Sequence, residues 1–189
     1  MKNDNRITTS CPPREPNRLL VGVGSALVDI LTHEDDAFLE TVGALKGGMI
    51  YVDRDQIEQT LSRSSGAPVV VPGGSACNTV VGVSKLGGRA RFVGKRGNGA
   101  MGDFFENALR VHNVDPRLFR SDTSTGRVLS IITPDAQRSM FTFLGAAAES
   151  RAEEIVAELF HEAAIVHLEG YLLFNPEFMS RALALAKAA

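Results

Sequence analysis

The sequence has no tryptophan, two cysteines and 6% aromatic residues in 189 positions. Cys11 and Cys77 are too few to staple a disulfide scaffold, so an apolar core must hold the fold. No apolar run approaches the roughly 20 residues that a membrane-spanning helix needs. The opening stretch MKNDNRITTSCPPREPNR lacks the apolar segment of a secretory signal. Charge is balanced as well, with 20 Lys+Arg against 22 Asp+Glu and a net charge of −2. That balance gives no reason to expect a nucleic acid or a membrane surface as partner. What is present is aliphatic: 44% of residues are hydrophobic, which excludes general disorder, and the length suits one domain with a sizeable core. A cytoplasmic globular chain is the expectation.

The 18 glycines are clustered, and the clusters punctuate a readable order of elements. Residues 1–17, with several prolines and few apolar side chains, read as a disordered leader, leaving 18–189 as the structured part. Leu19 to Gly24 is a short aliphatic run and predicts a buried strand. Asp36 to Gly43 predicts a short helix, Met49 to Val52 a strand, and Asp53 with Gln56 a capping box for a helix to about Ser62. Val69 to Val71 leads into Pro72-Gly73-Gly74-Ser75. Ala76, Val80, Val83 and Leu86 then recur at helical spacing until Gly87-Gly88. Ala90 to Val93 predicts a strand, and Asp103 with Glu106 predicts the cap of a helix stopping near Asn113. Val128 to Thr133 and Met140 to Leu144 flank Pro134-Asp135 as a hairpin. Ser150 with Glu153 predicts a third capping box, opening a helix to about His161. Ile165 to Leu168 predicts a buried strand, and Asn175-Pro176 starts a last helix. Strands alternating with helices indicate a parallel α/β sheet, and the hairpin with some early strands indicates an antiparallel accessory sheet. No internal repeat or dividing linker is visible. The last helix carries no stop signal before Ala189, so the sequence reads as ending in mid-domain.

Two phosphate-binding readings fail on spacing. Gly22-Val23-Gly24 would need glycine at 27 for a dinucleotide fingerprint, where Leu27 stands. Gly94-Lys95-Arg96 would need glycine at 89 and a hydroxyl residue after the lysine for a P-loop, and arginine occupies both positions. Gly73-Gly74-Ser75-Ala76-Cys77-Asn78-Thr79 is more informative. Two glycines at the mouth of a helix allow close backbone approach to a ligand, and the free amides of the helix start donate to oxygen. Asn78, about one turn in, can both donate and accept, as a sugar hydroxyl requires. An ordinary strand-to-helix turn would read the same way. Asp29, placed just beyond the first strand, has acceptor oxygens enough to grip vicinal hydroxyls, although a turn aspartate is the simpler reading in isolation. Glu169 follows a strand at its carboxyl end, where parallel sheets bind ligands, or is a surface loop acid. His33-Glu34-Asp35-Asp36 reads as a solvated acidic turn, and Cys77 as a small packed residue without a histidine partner.

Together these segments resemble the ribokinase-like, or PfkB, family of carbohydrate and nucleoside kinases. The resemblance rests on Gly73-Gly74-Ser75-Ala76-Cys77-Asn78-Thr79, on Leu86-Gly87-Gly88, and on Phe92-Val93-Gly94-Lys95 followed by Gly97 and Gly102. Within the family, the adenosine-kinase-like branch is the more similar. Phe38-Leu39 through Val52-Asp53, Thr125-Gly126, Thr133-Pro134-Asp135, Leu144-Gly145-Ala146-Ala147 and Leu168-Glu169-Gly170-Tyr171-Leu172 carry that likeness.

The resemblance implies a three-layer parallel sheet with helices on both faces, a small antiparallel β lid, and a chain that holds only the N-terminal part of the domain. It implies that Asp29 holds two hydroxyls of a ribose or sugar, with Gly73, Gly74 and Asn78 completing the grip. Ser25, Leu27 and Ser75 would line the same pocket, and Glu169 would border it. Departures are Asn98-Gly99, where acidic character is usual, and Ser25, where adenosine kinases often have Asn. The family's catalytic Asp-Thr-x-Gly-Ala-Gly-Asp stretch and its magnesium-organising Asn-x-x-Glu do not occur, so no catalytic or metal-binding residue is assigned. The complete protein would use ATP and Mg2+ to phosphorylate a primary hydroxyl of a nucleoside or sugar, whereas this chain by itself would be inactive and bind neither cofactor well. Lid strands in the family can pair between subunits, which makes a homodimer an expectation. Alternatives of a different kind are a non-catalytic nucleoside- or sugar-binding module and an inactive truncated product.

Overall fold

The computed structural model describes residues 18–189; the leader expected over 1–17 lies outside the described residues. Two sheets organise the chain. The first is fully parallel, in the order β6-β5-β1-β9, from β1 (Leu19–Val23), β5 (Arg89–Gly97), β6 (Val114–Ser121) and β9 (Ala163–Leu168). β1 lies between β5 and β9, and its Val21 and Val23 are fully buried. Helices α3 (Ser75–Lys85) and α4 (Ala100–Val111) cover one face, packing Ala76, Val80, Phe105 and Leu109 on Ala90 and Phe92. Phe92 and Phe105 meet edge to face with centroids 5.4 Å apart. Helix α5 (Pro176–Ala188) covers the other face, where Phe178 and Ala182 join Ile155 and Phe160 on Val21, Val23 and Val93. That gives the expected three layers.

The second sheet is a five-stranded cover in the order β3-β8-β7-β2-β4. Its strands are β2 (Leu27–His33), β3 (Met49–Tyr51), β4 (Val69–Gly73), β7 (Thr125–Ile132) and β8 (Arg138–Gly145). The β7–β8 hairpin and the β2–β4 pair are antiparallel, while β2–β7 and β3–β8 are parallel, so the lid is a mixed sheet. Helices α1 (Asp36–Val42) and α2 (Arg54–Arg63) seal its outer face, with Leu39, Val42 and Ile57 on Ile30, Leu129, Ile131 and Phe141. The opposite face is turned toward a cavity.

Side-chain caps set the helix starts. Asp35 accepts from the Phe38 N–H, Asp53 from Gln56 N–H at 2.7 Å, and Asn175 from Phe178 N–H at 3.3 Å with Pro176 at the first turn. Four expectations are corrected. Asp29 sits inside β2, because the chain turns immediately after β1 and runs on as a second strand. Helix α4 starts at Ala100, and Asp103 and Glu106 do not cap it: buried Arg96 draws both carboxylates, at 2.8 and 2.6 Å. The stretch after Ser150 is not an α-helix but short 3-10 turns, Ala152–Glu154 and Ala157–Phe160. There the Glu154 carboxylate closes on the Arg151 N–H and also receives Lys95, and Ser150 bonds back to the Ala147 carbonyl. Among the described residues, strand β9 is an edge rather than a buried strand, with β1 its one neighbour and Ile165 55% exposed.

Candidate functional site

Burial of the β1 and α3 faces brings the β1–β2 turn against the Gly73-Gly74 turn. A Cβ on Gly73 would lie 2.2 Å from Asp29 Oδ1, so only glycine lets β4 pass the carboxylate. Gly74 has φ of 95°, and a Cβ there would approach the Ser25 carbonyl to 2.6 Å, so this position needs glycine twice over. The two turns thus bring the start of α3 next to the start of β2.

Between them lies a cavity of about 340 Å3, roofed by the inner face of the lid. Ser25, Leu27, Asp29, Gly74, Ser75, Asn78 and Glu169 all line it; Gly73 backs Asp29 from behind. All eight residues expected at the site therefore converge. Such a volume is of the size that small ligands occupy.

Glu169 is no surface loop acid. It is 2% exposed, and its carboxylate accepts from the Ser25 N–H at 2.8 Å and the Ala76 N–H at 3.2 Å. Gly24 lacks a side chain at the point where this carboxylate passes, 2.4 Å from where a Cβ would stand. One buried side chain therefore ties the β1–β2 turn, the first turn of α3 and the end of β9. The α3 N-terminus has no side-chain cap, Gly74 being the capping position. Asn78 is exposed to the cavity and uses its backbone, not its side chain, to bond the Gly74 carbonyl at 2.9 Å.

Burial pushes the Asp29 carboxyl above its ordinary range, and the nearby Arg138 guanidinium partly offsets this. Burial, with Asp29 and Glu169 as negative neighbours, pushes the Cys77 thiol up to about 12, so Cys77 is packing and not a nucleophile. The acidic turn is consumed locally: Asp35 caps α1, and Glu34 accepts from Ser64 Oγ and the Ser65 N–H.

Sequence reasoning missed the lid's contribution. Arg138, Met140, Thr142 and Leu144 alternate along β8 and all face the cavity, as do Val128 and Ser130 on β7. Met49, Tyr51 and Tyr171 complete an apolar and aromatic flank. The period-2 pattern was the available signal, but a strand with two buried faces does not declare which face meets a ligand.

Chemically, the cavity offers the Asp29 carboxylate, the Glu169 carboxylate already bonded to two amides, one guanidinium and a carboxamide beside an apolar wall. That set has hydrogen-bonding groups of the kind hydroxyls pair with, next to a wall of the kind a flat or apolar substituent packs on. Among the described residues, no three His, Cys, Asp or Glu side chains cluster as a metal site.

A parallel α/β layer whose strand ends meet a β-sheet lid over a cavity defines an α/β protein of the ribokinase-like class. The chain belongs to the pfkB family of carbohydrate kinases, whose pattern matches residues 36–189. Among curated proteins it is similar to "Probable fructokinase-2" of Arabidopsis thaliana, 32% identical over 137 residues, covering 69% of this chain and 41% of that protein. Among solved structures it is similar to the adenosine kinase from Sinorhizobium meliloti, with 34% identity and a TM-score of 0.82, covering 92% of this chain and 54% of that one. A probable sugar kinase from Rhizobium etli CFN 42 is similar at 32% identity and a TM-score of 0.82, covering 91% and 53%. The chain thus spans about half the length of the relatives it matches.

Proposed function

We propose that residues 18–189 are the N-terminal, substrate-binding portion of an adenosine-kinase-like enzyme that transfers the ATP γ-phosphoryl group to a primary hydroxyl of a nucleoside or sugar. The observation that carries the reading is Asp29, half-buried at the head of the cavity with Gly73 and Gly74 against it and Asn78 beside it. The Asp29 carboxylate accepts from two hydroxyls, and the Asn78 amide and the backbone at Gly73 and Gly74 complete the grip. Ser25, Leu27 and Ser75 shape the pocket. Glu169 borders it while holding the Ser25 and Ala76 amides in place.

The lid closes over the substrate and keeps water from the reacting hydroxyl. Phosphoryl transfer depends mainly on positioning and charge stabilisation, and this portion supplies the positioning. Kinases of the family use ATP with Mg2+; the groups that hold them, and the base for the acceptor hydroxyl, are assigned to no residue here. The apolar flank of Met49, Tyr51, Met140 and Tyr171 favours a nucleoside over a bare sugar. A homodimer in the cytoplasm, paired through the free lid edges β3 and β4, completes the reading.

Calorimetry with adenosine and fructose tests it. Adenosine is expected to bind, and Asp29→Ala to weaken it by about 1.5–3 kcal/mol for each hydrogen bond lost to the charged group. Equal adenosine affinity in the parent and Asp29→Ala would overturn the assignment.

A further inference from the structure

The lid contains one buried hydroxyl that the fold leaves unsatisfied, on a residue that lines the cavity. Thr142 is 4% exposed, and its Oγ1 has no hydrogen-bond partner among the described residues. The other buried threonines are all paired. Thr32 bonds Glu34 and Ser64, Thr60 donates to the Gln56 carbonyl, Thr125 accepts from the Gly97 N–H, and Thr133 donates to Asp135. Valine has the shape of threonine and suits a strand at least as well, so packing gives no reason for a hydroxyl here. A buried hydroxyl without a partner costs stability, and its position is where an explanation is owed.

Sheet register supplies one. Thr142 pairs with Tyr51 on one side and Val128 on the other, and Val128 pairs with Asp29. Tyr51, Thr142, Val128 and Asp29 therefore form one row across the lid, and all four line the cavity. With neighbouring strands about 4.8 Å apart, Thr142 stands about 10 Å from Asp29, two strands along. That is the reach of a nucleoside from its ribose hydroxyls to the far edge of its ring. Rotation about the Thr142 Cα–Cβ bond exchanges Oγ1 with the methyl group, which lets the hydroxyl turn toward a bound molecule without moving the strand.

We infer that Thr142 is a specificity-determining residue whose hydroxyl pairs with a polar atom on the heteroaromatic ring of a nucleoside held by Asp29. The inference rests on the substrate-binding reading of the cavity. It adds that discrimination between a nucleoside and a bare sugar is made partly on the lid strand β8, at the end of the row remote from the hydroxyl grip.

The test titrates the full chain and its Thr142→Val, Thr142→Ser and Asp29→Ala variants with adenosine and with ribose, and records a thermal melt of each. Thr142→Val is expected to melt no lower than the parent, to bind adenosine roughly three- to tenfold more weakly, and to bind ribose unchanged. Thr142→Ser, which keeps the hydroxyl, is expected to retain adenosine affinity, and Asp29→Ala to weaken both ligands. Parent-like adenosine binding by Thr142→Val, with Asp29→Ala still impaired, overturns the role of Thr142 and leaves the cavity reading standing. An equal loss of ribose and adenosine in Thr142→Val also overturns it. Failure of the parent chain to bind either ligand, or indifference of both to Asp29→Ala, overturns the cavity reading and this inference with it.

Discussion

At Asp29, burial favours the protonated acid while the proposed work of the residue needs the ionised one. Its folded-state pKa lies above the ordinary value because of burial, less a contribution from Arg138. The native state therefore keeps its proton to higher pH than the unfolded chain, and stability falls as pH rises from the ordinary aspartate value through the raised one. Asp29→Asn is accordingly expected to raise the melting temperature at neutral pH while losing adenosine affinity, a pairing that thermal melts and calorimetry can read on one sample. Adenosine affinity of the parent should fall on acidification, starting above the ordinary carboxylate range. Cys77, with its thiol pushed up to about 12 and fully buried, should resist alkylation at pH 8 in the native state and react only after denaturant is added. The family resemblance, rather than any local pattern, put Asp29 and Asn78 among the expected pocket residues, since the sequence alone reads them as simply as a turn aspartate and part of an ordinary strand-to-helix turn. Thr142 and Arg138 were not among them, since what makes them relevant is the strand lying opposite, which no local pattern encodes.

Among the elements, the junction of β5 with α4 bears the most concentrated charge. Arg96, 2% exposed, places its guanidinium on Glu106, on Asp103 and on the Gly97 carbonyl, and Glu106 also receives Arg110 and Arg120. The Gly97 N–H donates in turn to Thr125, so the cluster steadies the point where β7 leaves for the lid. Burial alone would raise the Glu106 carboxyl, but the hydrogen bonds from Arg96 and Arg110 outweigh it and hold the group below its ordinary range. Its contribution is thus complete above the unfolded-state value and is lost as pH falls through the depressed one. Glu106→Ala should cost roughly 3 kcal/mol by urea unfolding, toward the low end for a broken buried pair because Asp103 remains with Arg96. Glu106→Gln should flatten the acid side of the stability profile.

The same junction explains what the sequence hid. An Asp-x-x-Glu spacing looks like a cap, yet Asp103 and Glu106 answer to an arginine from another strand. Strand β6 was unread because Asp115, Pro116 and Arg117 break any alternation; as an edge strand it tolerates the proline, and Asp115 instead pairs with Arg91 and Arg117. Helices α2 and α5, whose caps are supplied by adjacent residues, were read to within a residue or two.

For the whole molecule, β9 and the turn that follows it expose a run of large apolar side chains. Ile165, Leu173 and Phe174 are 55%, 68% and 79% exposed along and just after an edge strand. Unpaired strand edges beside apolar surface promote association. Sedimentation velocity is expected to show self-association of the chain that Ile165→Lys reduces, whereas a monodisperse monomer at all concentrations would count against it.

The parallel pairing of β2 with β7 also bears on time. Asp29 is synthesised early, but the strand that completes its row, with Val128, comes only after helices α1 to α4 and strands β5 and β6 of the first sheet have been made. Pairings so distant along the chain close late and slowly, on the scale of milliseconds to seconds. On the ribosome, the nascent chain therefore carries the Asp29 carboxylate long before it has a pocket. In a refolding experiment, recovery of adenosine binding should trail the recovery of helical signal, which makes the ligand a clock for the last step of assembly.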